Sequence, residues 1–146
     1  MRRLLSLLIF VLIAVLPGCG TASTRPAAVA RPEIDVRLAG TPYFGSSSTA
    51  PATIEVEVVN TANVPVIVRR IEIDSPGMAQ YQVVRTTKIV RETIAPGQAR
   101  VIPVTVTLVR AARNLSEPLT LRAFIDFQTA ADEAWREVVM TRGRGY

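Results

Sequence analysis

Short stretches with a hydrophobic residue at every second position recur from residue 33 to near the end of the chain. The clearest is Thr53–Val59, in which Ile54, Val56 and Val58 alternate with threonine and glutamate. Side chains of an extended strand point alternately to opposite faces, so this alternation predicts a β-strand with one buried and one solvated face. The pattern recurs in the stretches 34–38, 102–108 and 119–127. The chain is therefore predicted to be rich in β-strands.

Two predicted strands change phase. Within residues 66–73, Val66 and Val68 occupy one phase and Ile71 and Ile73 the other, with two arginines between them. We predict a β-bulge that bends this strand from one sheet toward its partner. A similar slip is predicted between the large apolar residues of the last strand, which are Trp135, Val138 and Met140.

Turn residues separate the strands. The pairs Pro76-Gly77 and Pro96-Gly97 place proline and glycine as a type II turn requires. Residues 60–63 and 129–133 predict two further turns. Only 111–115 and 130–133 show any helical propensity, and no segment keeps a 3.6-residue apolar period for three turns.

Seven or eight short strands in about 110 residues predict an antiparallel β-sandwich of immunoglobulin-like size. A closed eight-stranded barrel is the alternative. Pro103 lies inside a predicted strand and cannot donate to a ladder, so it indicates a strand edge or a bulge. Because a barrel has no edges, Pro103 favours the sandwich. The cysteine pair of antibody domains is missing.

The N-terminus follows a different pattern. Arg2 and Arg3 precede an apolar run from Leu4 to Leu16 that only Ser6 interrupts. A helix of these 13 residues would span about 20 Å, too short for a hydrocarbon core of about 30 Å. A basic start, a short apolar run and small residues at its end are typical of an export signal that is later removed.

The quartet Leu16, Pro17, Gly18 and Cys19 resembles the bacterial lipobox, although Pro17 stands where a small or hydroxyl residue is usual. The resemblance implies cleavage before Cys19 and attachment of lipid to its thiol. Two or three acyl chains there would anchor the protein stably, since one chain binds only marginally. The alternative is an uncleaved anchor in which Cys19 is an ordinary small residue. Cys19 is the only cysteine and has no disulfide partner, which favours lipidation.

Gly20 follows the cysteine. By the same resemblance, lipoproteins retained at the inner membrane of enteric bacteria carry aspartate there. We therefore expect a lipid-anchored protein of the bacterial cell envelope, on the outer membrane and facing the periplasm.

These patterns divide the chain into a signal peptide (1–18), a lipidated tether (19–32), a β-sandwich domain (33–142) and a short tail (143–146). The tether is predicted because two prolines stand there among small residues without a strict apolar period. Removal of the signal peptide takes away two arginines and lowers the formal charge from +5 to +3. The remaining length fits one domain.

The stretch IEVEVVNTANVPVIVRRIEI resembles the first hairpin of LEA type 2 domains, also called water-stress and hypersensitive-response domains. TIAPGQARVIPVTVTL resembles a later strand of the same domains. Residues 60–63 read Asn-Thr-Ala-Asn where that family has an Asn-Pro-Asn-like turn. The resemblance implies an immunoglobulin-like fold and a group with several bacterial lipoproteins, and it implies no site residues.

Composition excludes several kinds of catalysis. The chain has no histidine and no cysteine besides Cys19, so it can form no histidine-dependent triad and no imidazole or thiolate zinc site. Asp126, Asp132, Glu133 and Glu137 flank the last predicted hairpin and could form a glycosidase-like pair or a calcium site. We favour the alternative that Asp126 and Glu137 face solvent and that the other two lie in the turn. No enzymatic activity and no cofactor are predicted.

Basic residues concentrate in the centre of the chain, where eight lie between Arg69 and Arg113 against three acids. Arginine binds phosphate and carboxylate oxygens in bidentate fashion, so this region is a candidate contact for lipid phosphates or acidic glycans. The candidate contacts are Arg69, Arg70, Arg85, Lys88 and Arg91. A solvated face without a ligand is the favoured alternative. Nucleic acid is not a predicted partner, because the sequence shows no basic groove studded with aromatic residues.

Three functions remain open. The favoured one is a non-catalytic interaction or structural module that binds a protein of the envelope through its exposed sheet edges. The second is a carrier of a lipid or other hydrophobic ligand, which needs an interior pocket of at least about 300 Å³. An enzyme is the weakest of the three.

Overall fold

The computed structural model describes residues 29–76, 81–110 and 119–142 of the chain. The predictions for the signal peptide, Cys19, most of the tether, Gly77, residues 111–115 and the tail 143–146 lie outside these ranges. No helix within the described ranges is long and apolar enough to cross a membrane. The strands are β1 (Glu33–Ala39), β2 (Thr49–Val59), β3 (Val66–Asp74), β4 (Tyr81–Val83), β5 (Thr86–Ile94), β6 (Ala99–Arg110), β7 (Thr120–Thr129) and β8 (Ala134–Arg142).

These strands form two four-stranded antiparallel sheets. The first sheet has the order β1-β2-β6-β4 and the second has the order β5-β3-β7-β8. The trios β1-β2-β6 and β3-β7-β8 correspond to strands A-B-E and C-F-G of an immunoglobulin domain. The predicted antiparallel β-sandwich is confirmed.

Alternating side chains of both sheets fill the core. Ile54, Val56 and Val58 of β2 are fully buried, as their alternation predicts. On the facing sheet, Trp135 stacks on Phe127 with 5.3 Å between ring centroids. Apolar area removed from water at both inner faces is the main force that holds the sheets together.

Pro103 lies at an open edge of the first sheet, as predicted. Strand β6 pairs with β2 along its whole length, but β4 covers only Leu108–Arg110 on its other side. Lys88 Nζ donates to the Pro103 carbonyl at 2.6 Å, so this carbonyl points away from β2. The nitrogen and carbonyl of one strand residue point to the same side, so the missing N–H of Pro103 breaks no ladder bond.

The phase change in β3 is a bulge at Arg69, but its predicted consequence is wrong. The pairing of β3 with β7 shifts by one residue between Val68 and Arg70. The bulge absorbs the extra residue, so the apolar side chains before and after it face the same core and β3 stays within one sheet. The four side chains, all fully buried, are Val66, Val68, Ile71 and Ile73.

The predicted phase slip in β8 is also wrong, because β8 pairs with β7 in continuous register. Trp135 points inward, whereas Val138 and Met140 are 46% and 63% exposed on the outer face. The inward position between Trp135 and Val139 is taken by Glu137, which is only 7% exposed. An inward carboxylate at this edge is possible because Arg31 Nη2 lies 3.1 Å from Glu137 Oε2.

The packed part of the chain includes the last residues of the predicted tether. Val29 and Pro32 are buried. The Arg31 carbonyl accepts a hydrogen bond of 2.7 Å from the Thr61 hydroxyl. Residues 29–32 therefore lie against the sandwich ahead of β1.

Asn60 connects three segments at the end of the sandwich where the chain enters β1. Its side-chain amide donates to the carbonyls of Val64 and Ile94, each at 2.9 Å. Its side-chain oxygen accepts from Ala62 N–H at 3.0 Å. Its carbonyl accepts from Gly97 N–H at 2.8 Å, within the predicted Pro-Gly turn, where Gly97 adopts φ +70°.

We expect Asn60→Ala to lower the free energy of unfolding by about 2–4 kcal/mol, because it leaves several buried backbone groups without partners. Urea unfolding of the chain from Gly20 onward, followed by Trp135 fluorescence, measures this change. Asn63→Ala is the matched control, because Asn63 is exposed in the same turn and should change stability by less than about 0.5 kcal/mol. Equal losses in the two variants would contradict the role of Asn60.

Candidate functional site

The outer face of the second sheet carries an ordered array of ion pairs around one aromatic ring. Register places its side chains in three rows across β3, β7 and β8. We call this surface the ion-pair face, and its residues are Arg70, Glu72, Asp74, Arg122, Phe124, Asp126, Arg136, Val138 and Met140.

Asp126 is the centre of the first row. Its carboxylate accepts from Arg70 Nε at 2.8 Å and from Arg136 Nε at 2.6 Å and Nη2 at 3.1 Å. Partial burial of Asp126 acts to raise the pKa of its carboxyl, but Arg136 and Arg70 together outweigh burial and hold the pKa below its usual value. Asp126 also raises the pKa of the Arg136 guanidinium.

Asp74 is the centre of the third row. Arg122 donates to it in bidentate fashion, with Nε–Oδ1 and Nη2–Oδ2 distances of 2.8 Å each. Arg85 Nη2 donates to the same carboxylate at 3.0 Å, and Arg85 Nε lies 3.3 Å from Glu72 Oε1. The hydrogen bonds from Arg122 lower the pKa of Asp74, with a further contribution from Arg85 and against the opposing effect of burial.

Phe124 lies in the middle row, between these two groups of charges. The guanidinium carbons of Arg122 and Arg136 lie 5.1 and 5.7 Å from its ring centroid, within the range of cation–π attraction. Val138 is its neighbour across the ladder, and Met140 lies beside Arg122 in the next row. The exposed side chains of Val138 and Met140 extend the apolar centre of the face to the edge strand β8.

The candidate anionic-ligand residues do not form one cluster. Arg69 donates to Gln128, Arg70 to Asp126, and Arg85 to Asp74. Lys88 has the inward phase of β5 and reaches Pro103 of the first sheet. Arg91, at φ +104° in β5, is exposed and has no partner within the described ranges. Four of the five residues are thus engaged within the protein.

The acidic residues near the last hairpin do not converge either. Asp126 lies on the outer face of the second sheet, whereas Glu137 has the inward phase and is buried beside Arg31. The prediction that Glu137 faces solvent is therefore wrong. Asp132 and Glu133 lie in the turn, where Asp132 accepts from Gln128. No group of three potential metal ligands occurs among residues 29–76, 81–110 and 119–142.

Arg122 and Phe124 of the ion-pair face were not among the predicted site residues. The alternation in 119–127 identifies Arg122, Phe124 and Asp126 as outward-facing, so this signal was present. The contribution of Arg136 was not predictable, because it depends on the register of β8 against β7.

This arrangement is suited to recognition rather than to proton transfer. A carboxylate held ionised by two guanidinium groups is a poor acid, and its oxygens are occupied by donors. The face combines paired charges with the half-buried Phe124 ring and the exposed side chains of Val138 and Met140. The ion pairs hold its charged side chains in fixed positions.

No protein-family model matches the sequence, and no curated protein matches it. Among solved structures, the Northeast Structural Genomics Consortium target SoR45 is similar with a TM-score of 0.52 and 10% identity, over 79% of this chain and 86% of that one. A Bordetella pertussis target, BeR40, has a TM-score of 0.47 and 18% identity over 81% of this chain and 99% of that one. At this identity the likeness to SoR45 shows the fold alone.

The lowered pKa values predict the acid sensitivity of the fold. Asp74 and Asp126 have lower pKa values in the folded chain than unfolded, so they stabilise it above about pH 4, and this contribution is lost as pH falls through their folded-state values. Asp74→Asn should lower the free energy of unfolding at pH 7 by about 1–3 kcal/mol and flatten its decline in acid. Urea unfolding between pH 2 and 7 measures both effects.

Asp35→Asn is the control, because Asp35 is 62% exposed and contacts Arg37 at 3.4 Å. An exposed pair of this kind contributes at most about 1 kcal/mol. A pH profile for Asp74→Asn that runs parallel to the parent's would show that Asp74 is not a main source of acid sensitivity.

Proposed function

We propose that this protein is a lipid-anchored lipoprotein of the bacterial cell envelope, and that its non-catalytic β-sandwich is an interaction module for another envelope protein. The position of Cys19 carries the anchoring part of the proposal. This cysteine follows a basic start and an apolar run in a lipobox-like quartet, and the chain has no second thiol with which it could pair.

The short distance along the chain from Cys19 to the sandwich supports a role close to the membrane. Val29, which is already packed, is the tenth residue after Cys19. Even fully extended, ten residues span at most about 36 Å. A lipid on Cys19 would therefore keep the sandwich within reach of partners at the membrane surface.

The ion-pair face supports the interaction part of the proposal. Its charges are paired within the protein, and its exposed apolar centre continues to the edge strand β8. This combination favours a protein partner over a lipid phosphate or an acidic glycan. An anionic ligand would have to compete with Asp126 and Asp74 for the same guanidinium groups.

The carrier hypothesis receives less support. Large apolar side chains fill the space between the sheets, and Trp135, Phe127, Ile54, Ile71 and Leu108 are among those fully buried. The described residues line a groove on the outer face of the first sheet, outside the space between the sheets.

Metabolic labelling with a radioactive fatty acid in a bacterial host tests the anchor. Cys19→Ala should abolish labelling and leave the precursor uncleaved, because no other thiol can accept the lipid. Gly18→Ala is the matched control, because alanine is also small at this position, and it should be labelled like the parent.

Equal labelling of the Cys19→Ala variant and the parent would contradict the anchor. Absence of label from the parent itself would do the same.

A further inference from the structure

A shallow groove of about 500 Å³ lies on the outer face of the first sheet. It begins at the loop between β1 and β2 and crosses β2 to β6. Its lining includes Thr41, Tyr43, Pro51, Thr53 and Thr105. This volume is within the usual range of about 300–1,000 Å³ for ligand pockets.

Tyr43 is the largest side chain of the groove, and the adjacent residue fixes the loop that carries it. Phe44 is buried and stacks on Tyr81 at 5.1 Å, while the Arg110 guanidinium lies 4.7 Å from the Phe44 ring centroid. Tyr43 itself is 86% exposed. The loop is therefore anchored through Phe44 while the adjacent Tyr43 ring stays open to solvent.

Two backbone hydrogen bonds and one glycine hold the same loop. Ser47 N–H donates to the Phe44 carbonyl at 2.9 Å, and Arg110 N–H donates to the Ser48 carbonyl at 2.8 Å. Gly45 adopts φ +53°, and a β-carbon there would lie 3.6 Å from the Tyr43 ring. The Tyr43 ring therefore lies beside the Gly45 backbone in a prearranged position.

The polar chemistry of the groove is entirely uncharged. Three threonine hydroxyls line it, and none is hydrogen-bonded to another group in the part of the chain that the structure describes. No aspartate, glutamate, lysine or arginine lines it. The hydroxyls are therefore available to a ligand as both donors and acceptors.

The charged side chains beside the groove disfavour anionic ligands. There Arg37 Nε donates to Glu55 at 2.9 Å, and Arg37 also contacts Asp35 and Glu57 at 3.4 and 3.3 Å. Three carboxylates around one guanidinium leave a net negative charge next to the groove. This charge would repel phosphates, sialic acids and uronic acids.

We propose that the groove binds an uncharged sugar unit of a glycan. A pyranose ring presents a flat C–H face that can stack on the Tyr43 ring, and its edge carries hydroxyls that can pair with Thr53 and Thr105. The absence of charge in the lining and the acidic border fit a neutral sugar and disfavour an anionic one. The groove is separate from the ion-pair face, so this assignment goes beyond the interaction role proposed above.

A proline-rich peptide is the competing occupant of an aromatic groove. Grooves that bind polyproline II helices are lined by aromatic side chains. Here Tyr43 is the single aromatic residue of the lining, and the other polar groups are aliphatic hydroxyls. The lining therefore fits a sugar better than a polyproline helix.

Binding of two neutral probes, N-acetylglucosamine hexamer and cellohexaose, to the full-length protein in detergent micelles tests the proposal by titration calorimetry and by NMR of the tyrosine rings. We expect at least one probe to bind and Tyr43→Ala to weaken it at least tenfold. Tyr43→Phe should keep the affinity within about threefold, because the stacking face remains. Ile89→Ala, which removes an exposed apolar side chain 64% accessible on β5, is the control and should bind like the parent.

No binding of either probe at millimolar concentration would overturn the proposal, and so would an affinity that Tyr43→Ala leaves unchanged. Binding of a proline decamer in place of the sugars would assign the groove to peptide. The Cys19→Ala chain should bind sugar like the parent. Loss of lipidation and loss of sugar binding are therefore separate results, and each tests a different proposal.

Discussion

The structure depends on keeping the inward and outward phases of the second sheet aligned across β3. Between Val68 and Ile71 the chain has two residues, and in a regular strand these would turn Ile71 and Ile73 to the outer face. The bulge at Arg69 absorbs one of them. Four β-branched residues of β3 therefore enter one core. No disulfide within the chain supports this core, because the chain has a single cysteine.

The same bulge determines what the protein presents to solvent. Because Arg69 lies in the bulge and is left out of the pairing, Arg70 lies opposite Asp126, and Asp126 lies opposite Arg136. The ion-pair face therefore depends on this register. With a different register, the charged side chains of each row would not lie opposite one another. The outer face of the first sheet, built on regular pairing, carries the acidic row around Arg37 and the uncharged groove of Tyr43 instead. The two outer faces of one sandwich therefore present different chemistry to solvent.

Much of the fold follows from the sequence because period-two alternation is local. It correctly predicted the buried faces of β2, β6 and β7, and Pro103 correctly indicated an edge. Features that depend on pairing between distant segments were not predictable in this way. Glu137, for example, has the inward phase and pairs with Arg31, which is far away in sequence. Tyr43 lies in a loop without periodicity, so only its surroundings identify it as exposed.

Changing the number of arginines in β3 tests the central role of this register most directly. Removing one of the two leaves Val-Ile-Val-Arg-Ile-Glu-Ile-Asp, which alternates against β7 without a bulge. We expect the free energy of unfolding of this variant to stay within about 1 kcal/mol of the parent's. Inserting a third arginine also keeps the isoleucines in the inward phase, but it turns the middle arginine toward the core, and burying this unpaired charge should cost at least about 3 kcal/mol. Urea unfolding of both variants gives the two values. A deletion as costly as the insertion would contradict the account.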